Sequence, residues 1–209
     1  MKKFCGILIV TMALALSVKG QSIMYHHLKD FVTNSGDTIA LPAKLYIEKR
    51  SRAHQLTQAG GDRRISSNRD IIKNRLKRYY AVQVDENLYV NCRRLKIKKF
   101  KFGKFYAPAM LVKDKIYFSA VPIGPAAVAV VDREIGMGAI GEAIASSSAI
   151  SKRVYYDIDM ETGKVNFVGK ERMTELLTGY PDLLEAYLLE NNEEAKVTGR
   201  YLRELKQRE

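Results

Sequence analysis

Cysteine and histidine are scarce in this 209-residue sequence, and their scarcity excludes several kinds of site. Of the two cysteines, Cys5 lies near the start of an N-terminal apolar segment that we predict to be removed. Only Cys92 would then remain, so no intramolecular disulfide can form and packing alone must hold the fold. Cys92 alternates in phase with Leu88 and Val90, which predicts a core thiol rather than a nucleophile.

The familiar catalytic and metal-binding strings are also missing. The sequence has no H-E-x-x-H, C-x-x-C or G-x-S-x-G string. Its histidines are His26, His27 and His54, and adjacent histidines on a strand point to opposite faces, which makes the first two a poor metal pair. We therefore predict no metal site, no cofactor and no catalytic residue, although an active site assembled from distant residues stays open.

Three acidic residues near a glycine imitate a calcium-binding loop: Asp157, Asp159 and Glu161. However, Gly163 falls one position too late for an EF-hand, and Val168 occupies the position of the bidentate glutamate. The turn composition instead predicts a hairpin whose acidic side chains face solvent.

No apolar run beyond the N-terminus is long enough to span a bilayer. Two lysines precede the apolar residues Phe4–Leu16, and Val18 and Gly20 suit a cleavage site before Gln21. Residues 1–20 are therefore predicted to be a secretory signal peptide, with an uncleaved anchor as the alternative. The mature chain, residues 21–209, would be one exported domain in the periplasm or at the cell surface, without an integral membrane span.

Positive charge is concentrated in the first half of the chain. The formal net charge is +12, and it falls to +9 without Lys2, Lys3 and Lys19 of the predicted leader. Lys44–Lys115 contains 20 Lys/Arg against 6 Asp/Glu, whereas Ile116–Glu209 contains 11 against 15. Either the basic half binds a polyanion or the two halves complement each other.

Hydropathy patterning predicts an α+β fold. In the basic, β-rich part, residues 21–122, we predict a short strand at 44–49, a loop over 50–67, a helix at 68–78 capped by Asn68, and hairpins at 80–92 and 110–120. Residues 123–209 are predicted to be mainly helical, with a hairpin at 153–168 and helices at 170–178, 181–190 and 193–206. The expected architecture is an antiparallel, hairpin-built sheet, with a small-residue helix and the C-terminal helices packed on one face.

The small-residue segment Gly124–Ile150 contains the string G-x-G-x-x-G, at Gly136, Gly138 and Gly141. A dinucleotide site needs a buried strand that runs directly into the first glycine. Here the charged residues 132–134 interrupt that strand, and no further strand–helix alternation follows. We predict instead a closely packed helix with no ligand at Gly136. Three of its isoleucines are expected to be buried: Ile135, Ile140 and Ile144.

A cluster of cations interleaved with aromatic residues follows the first hairpin. We call it the basic segment and define it by Arg93, Arg94, Lys96, Lys98, Lys99, Lys101 and Lys104. Cations beside exposed aromatics predict binding of a polyanion, either an acidic polysaccharide or a single-stranded nucleic acid. The alternative is an edge strand protected by its lysines, with the aromatics pointing inward. Lys73, Lys77 and Arg78 on the preceding helix would extend the patch if they lie nearby.

Five short strings of the chain resemble an uncharacterised family of secreted Bacteroidales proteins, a domain of unknown function. These strings are Leu28–Phe31, Glu48–Ser51, Leu88–Cys92, Tyr106–Met110 and Met160–Gly163. The resemblance covers nearly all of the mature chain and implies an exported bacterial protein, but no activity. We therefore expect a non-enzymatic binding or scaffold protein of the cell envelope, with an envelope enzyme of unrecognised site as the alternative.

Overall fold

The computed structural model describes residues 22–39, 43–57, 60–127, 129, 153–190 and 194–209. Its strands are β1 (Ser22–Tyr25), β2 (Asp37–Ile39), β3 (Leu45–Lys49), β4 (Arg63–Ser67), β5 (Ala81–Val84), β6 (Asn87–Asn91), β7 (Lys96–Ile97), β8 (Phe100–Lys101), β9 (Tyr106–Val112), β10 (Lys115–Ala120), β11 (Val154–Asp159) and β12 (Val165–Val168). Its helices are α1 (Leu28–Val32), α2 (Arg52–Thr57), α3 (Asp70–Leu76), α4 (Lys170–Leu177), α5 (Pro181–Glu190) and α6 (Ala195–Gln207), with a 3-10 turn at Cys92–Arg94.

The main sheet has the strand order β12–β11–β10–β9–β6–β5–β1–β2, and neighbouring strands are antiparallel. Strand β3 pairs with β4, and β4 joins β9 where Arg63 pairs with Tyr106. Tyr106 also pairs with Asn91 of β6, and β10 pairs with the C-terminal part of β9. Strands β4 and β10 therefore share one edge of β9, and we call this point the sheet branch.

The α+β prediction is confirmed, and so are the three hairpins, which form β5–β6, β9–β10 and β11–β12. Each hairpin alternates apolar and polar residues across a short turn, which specifies both the strand and its partner. The three C-terminal helices are also confirmed, within two residues of their predicted ends.

Two predictions in the first half were wrong. The predicted loop at 50–67 contains helix α2 and strand β4, which owe their positions to contacts with distant residues. The predicted helix at 68–78 forms over Asp70–Leu76, but Asn68 does not cap it because its Oδ1 atom accepts a hydrogen bond from the Lys44 amide at 2.9 Å. Ile71 of this helix is 71% exposed.

Strand alternation divides the core between the two faces of the sheet. On β10, Ile116 and Phe118 pack into one core, whereas Tyr117 packs into the other. Helices α4, α5 and α6 cover the second face over β9–β12, where Tyr201 and Leu205 of α6 are buried. This confirms that the C-terminal helices share one face of the sheet.

The opposite face is covered in part by the short β7–β8 hairpin. Three of its apolar residues, Leu95, Ile97 and Phe102, join the core formed by Ile116 and Phe118. Helix α3 and strand β4 cover the remaining area on the side of the C-terminal helices, through Ile65, Leu76 and their neighbours. The basic half of the chain therefore contributes to both layers around the sheet.

Some predictions concern residues outside the described ranges. These are the signal peptide at 1–20, the G-x-G-x-x-G string, the small-residue helix and the burial of Ile135, Ile140 and Ile144. Within the described ranges, no helix combines the length and hydrophobicity that a bilayer span requires.

Candidate functional site

The basic segment is a closed loop on the sheet rather than an edge strand. It begins in the 3-10 turn, continues through the hairpin β7–β8, and reverses direction at Lys98, whose φ is 51°. The Cys92 amide donates a hydrogen bond to the Phe105 carbonyl at 2.9 Å, which joins the two ends of the loop. The segment is therefore not an edge strand of the main sheet, because its two short strands pair with each other.

The loop has an apolar inner side and a cationic outer side. Leu95, Ile97 and Phe102 are buried against the sheet. All seven cations that define the basic segment are exposed. The buried side chains fix the loop in place, so the cations are presented on an ordered support.

The aromatic residues of this region are mostly turned inward. Phe102 packs edge-on against Tyr156 at 4.7 Å, and Tyr106 is buried beneath α3. Phe105 is half-buried, and the guanidinium of Arg50 lies 3.9 Å from its ring centroid. Phe100 is the exception, with 41% of its surface exposed. The inward orientation is thus confirmed for Phe102 and Tyr106 but wrong for Phe100.

A cavity of about 430 Å³ opens at the sheet branch, and we call it the branch cavity. Five cationic side chains line it: Arg50, Arg64, Lys73, Lys77 and Arg93. Among the described residues, its lining contains no carboxylate. Ile65, Leu76, Phe105 and Tyr106 supply an apolar floor. The cavity therefore combines concentrated positive charge with a partly apolar surface.

Two buried polar side chains hold α3 over the branch. Asn91 donates from its amide to the Tyr79 carbonyl at 2.8 Å and accepts the Arg93 amide at 3.1 Å. The Tyr106 hydroxyl donates to the Leu76 carbonyl at 2.5 Å. The Tyr106 bond satisfies a carbonyl at the C-terminal end of α3, which has no partner inside the helix, and the Asn91 bond fixes the residues that follow the helix. Burial raises the pKa of Tyr106, so its hydroxyl stays protonated and acts as a hydrogen-bond donor.

Arg50 forms the back of the cavity. It is only 7% exposed, and it donates to the Gly61 carbonyl at 2.7 Å and the His54 carbonyl at 2.5 Å. Burial lowers the pKa of its guanidinium, and the positive charge of Arg153 lowers it further. A guanidinium still remains protonated under these conditions. Arg50 is therefore a fixed positive charge.

Two glycines allow the chain to cross β9 beside Arg50. The Gly61 amide donates to the Lys104 carbonyl at 3.0 Å, and Gly60 forms a bridge with the same residue. A Cβ atom on Gly61 would lie 1.9 Å from the carbonyl oxygen of Tyr106, so no side chain fits there. This close crossing brings the segment that contacts Arg50 against the segment that carries Phe105.

Within the ranges that the structure describes, the other candidates from the sequence do not form a second site. Cys92 is fully buried, as predicted, and burial raises the pKa of its thiol to about 12. Within the described residues, no group of three His, Cys, Asp or Glu side chains is arranged to hold a metal ion.

Two acidic side chains of the hairpin β11–β12 stabilise the fold, which the sequence did not predict. Asp157 is fully buried and accepts hydrogen bonds from Asn166 at 3.0 Å and Arg172 at 3.1 Å, so its predicted solvent-facing position was wrong. Asp159 closes the turn by accepting the amide and hydroxyl of Thr162, and these bonds lower its pKa to about 2.

Sequence reasoning identified part of the cavity. Lys73 and Lys77 line the cavity together with Arg93 of the basic segment, whereas Arg78 is not part of the lining. Arg50 and Arg64 were missed because both fell in the predicted loop. The single apolar residue Ile65 between polar neighbours was the one signal for strand β4.

The chain is an α+β protein whose main antiparallel sheet branches beside a cation-lined cavity. The chain belongs to DUF6563, a family of unknown function whose profile matches residues 23–209. A search of curated proteins and a search of solved structures each found no match. The predicted resemblance to an uncharacterised family is confirmed; its Bacteroidales origin and its secretion stay predictions.

Proposed function

We propose that this protein is an exported, non-enzymatic binding protein of the bacterial cell envelope, and that its basic surface binds an acidic polysaccharide. One observation supports the proposal above the others. Arg93, the first cation of the exposed basic segment, also lines the branch cavity. The two cationic features therefore meet at Arg93, although the β7–β8 hairpin packs on the opposite face of the sheet, and neighbouring concentrations of positive charge attract anionic ligands.

Among the described residues, few carboxylates neutralise the cations that line the branch cavity. In the described part of the chain, no salt bridge joins a carboxylate to Arg64, Lys73, Lys77 or Arg93. The second half of the chain carries more Asp and Glu than the first half, but carboxylates there form ion pairs with nearby cations, as Asp157 and Glu175 do with Arg172. The positive surface is therefore available to a ligand.

A polysaccharide is a better partner than a single-stranded nucleic acid. Proteins that bind single strands use exposed aromatic side chains on which successive bases stack. Here Phe102 and Tyr106 are buried, and one face of Phe105 is occupied by Arg50. Phe100 alone does not provide a row of stacking positions.

The test is chromatography on two resins of similar charge density. We expect the protein to elute from heparin at a higher salt concentration than from a sulfonate exchanger. The reason is that an ordered array of cations should bind a sulfated polysaccharide more tightly than nonspecific ion exchange would. The variant Lys98→Gln/Lys99→Gln/Lys101→Gln should reduce that difference. Elution at the same salt from both resins would contradict the proposal.

Export can be tested separately. When the full chain is expressed in a bacterial host, we expect the envelope fraction to contain a form whose N-terminal residue is Gln21. Recovery of the intact chain from the cytosol alone would overturn this part of the proposal.

The second candidate function is that of an envelope enzyme, and the observation that favours it is a contact between a serine and a histidine. Ser51 Oγ lies 3.2 Å from His54 Nδ1, at the edge of the cavity. The same Oγ accepts the His54 amide at 3.3 Å, which is the geometry of a helix cap at the start of α2. We therefore expect no hydrolysis of a generic activated ester above background. Turnover that is lost in Ser51→Ala would favour the enzyme.

A further inference from the structure

We infer that the branch cavity is a discrete site for an ester oxyanion, a sulfate or phosphate group carried on one saccharide unit; this inference rests on the proposed function. The exposed basic segment would bind the rest of the chain through distributed charge. The cavity would bind one unit with defined geometry.

The cations of the cavity converge from separate parts of the fold. Arg50 follows β3, Arg64 lies on β4, Arg93 lies in the 3-10 turn, Lys73 lies on α3, and Lys77 is the C-cap of that helix. The two lysines are four residues apart, a spacing at which like charges on a helix repel each other. Five cations thus face one space at an electrostatic cost, which a bound anion would relieve.

The back of the cavity is also rigid. Arg50 is held by two backbone carbonyls and by the ring of Phe105. Phe105 has a φ of 71°, in the left-handed region that an aromatic residue rarely adopts. Strained residues of this kind are concentrated at binding sites, where the surrounding structure enforces them. The contacts that enforce this conformation also hold the Arg50–Phe105 pair in one position.

The cations of the cavity also favour one type of anion. A sulfate or phosphate ester presents three terminal oxygens, which several donors can engage together, whereas a carboxylate presents two. Four of the cations are exposed at the cavity walls and one is buried at its back. With three terminal oxygens, an ester oxyanion can contact more of these cations at once than a carboxylate can. The volume of about 430 Å³ lies within the range of small-ligand pockets. Ile65 and Leu76 offer an apolar surface for a sugar ring.

The experiment compares two triple variants of the full-length protein that remove equal charge. The cavity variant is Arg64→Gln/Lys73→Gln/Lys77→Gln, and the surface variant is Lys98→Gln/Lys99→Gln/Lys101→Gln. All six side chains are exposed, so both variants should fold, and circular dichroism checks this. A charge-preserving variant, Lys73→Arg/Lys77→Arg, controls for a merely structural role. Binding is measured by titration calorimetry at fixed salt, with a heparin-derived tetrasaccharide as the probe.

We expect the cavity variant to weaken tetrasaccharide binding by about tenfold or more, because three charge-assisted contacts are lost. The surface variant should weaken it less than about threefold, as is usual for exposed charges. The charge-preserving variant should retain most of the affinity. Equal weakening by the two triple variants would overturn the cavity site while leaving the proposed function intact. No binding by the wild-type protein would overturn both.

Two further probes test the ligand class. Oligogalacturonate carries carboxylates but no ester oxyanions, and we expect it to bind weakly and equally to both triple variants. Cavity-dependent binding of oligogalacturonate as tight as that of the sulfated probe would overturn the assignment to an ester oxyanion. Tighter, cavity-dependent binding of a single-stranded oligonucleotide would overturn the assignment to a saccharide. A phosphorylated disaccharide separates phosphate from sulfate: whichever probe binds more tightly through the cavity identifies the preferred ester.

Discussion

The replacement of Gly61 by alanine is the sharpest test of how the branch cavity is built. Its new Cβ atom would lie 1.9 Å from the Tyr106 carbonyl oxygen, whereas real Cβ atoms essentially never come within 3.0 Å of another heavy atom. Both groups belong to the backbone, so neither can rotate away. The crossing would have to open by about 1 Å, since only that movement relieves the overlap.

The energetic consequence follows from the contacts at the crossing. Overpacking of this kind costs about 1–3 kcal/mol. Opening the crossing also breaks two hydrogen bonds, from Gly61 to Lys104 and from Arg50 to Gly61, each worth about 0.5–1.5 kcal/mol. We therefore expect Gly61→Ala to lower the free energy of unfolding by about 4 kcal/mol. For a chain of this length that corresponds to a fall in Tm of about 8–16 °C.

The matched control is Gly179→Ala. No heavy atom lies within 4 Å of a Cβ placed on Gly179, so we expect this variant to be neutral or to stabilise the protein by about 0.4–1 kcal/mol. Thermal unfolding followed by circular dichroism compares the two variants with the wild-type protein. If the Tm of the Gly61→Ala variant lies within about 2 °C of the Tm of the Gly179→Ala variant, the two backbone segments do not cross as closely at the cavity as described.

Three further outcomes follow from the contacts described. Tyr106→Phe removes the buried bond to Leu76, so the free energy of unfolding in urea should fall by about 1 kcal/mol with an unchanged slope. The Cys92 thiol, buried and with its pKa raised to about 12, should not react with a thiol reagent at pH 8 until urea unfolds the protein. The pKa of Asp159 is lowered from 3.8 to about 2, so its contribution to stability is present above about pH 4 and lost as the pH falls towards 2. Asp159→Asn should therefore show a smaller loss of Tm across that window.

Neighbouring residues provide the controls for these three measurements. Tyr46 is 48% exposed, so Tyr46→Phe should leave stability unchanged, and an equal loss in both tyrosine variants would contradict the buried bond. Rapid modification of Cys92 in the native protein would show that the 3-10 turn opens readily. Glu161→Gln removes an exposed acid from the same turn, and it should keep the wild-type pH dependence.

Local patterns predicted the hairpins and the C-terminal helices because both depend on neighbouring residues. Leu88 and Val90 alternate after a tight turn, and their partners Gln83 and Ala81 lie only a few positions before them. Strand β4 was not predictable in this way. Its single buried residue is Ile65, and its attachment to the sheet depends on Tyr106, more than forty positions further along the chain.

The candidate site shows the same division. The cations of the basic segment are adjacent in sequence, so composition alone revealed them. The cavity brings together Arg50, Lys73 and Arg93, which lie on three different elements. Their convergence depends on the Asn91 bonds that position α3 and on the glycine crossing, and neither has a local pattern.

The position of strand β1 has one more consequence. Strand β1 lies between β2 and β5, so the chain leaves the sheet after Ile39 on one side and returns at Ala81 on the other. The intervening unit, β3 to α3 and its C-cap, supplies four of the cavity's five cations. It pairs with the main sheet at the branch and packs on the sheet face through Ile65 and Leu76. Such a unit can open cooperatively at a lower free energy than global unfolding. A ligand held across its seam would therefore slow amide hydrogen exchange throughout β3 and β4, including at residues that the ligand never touches.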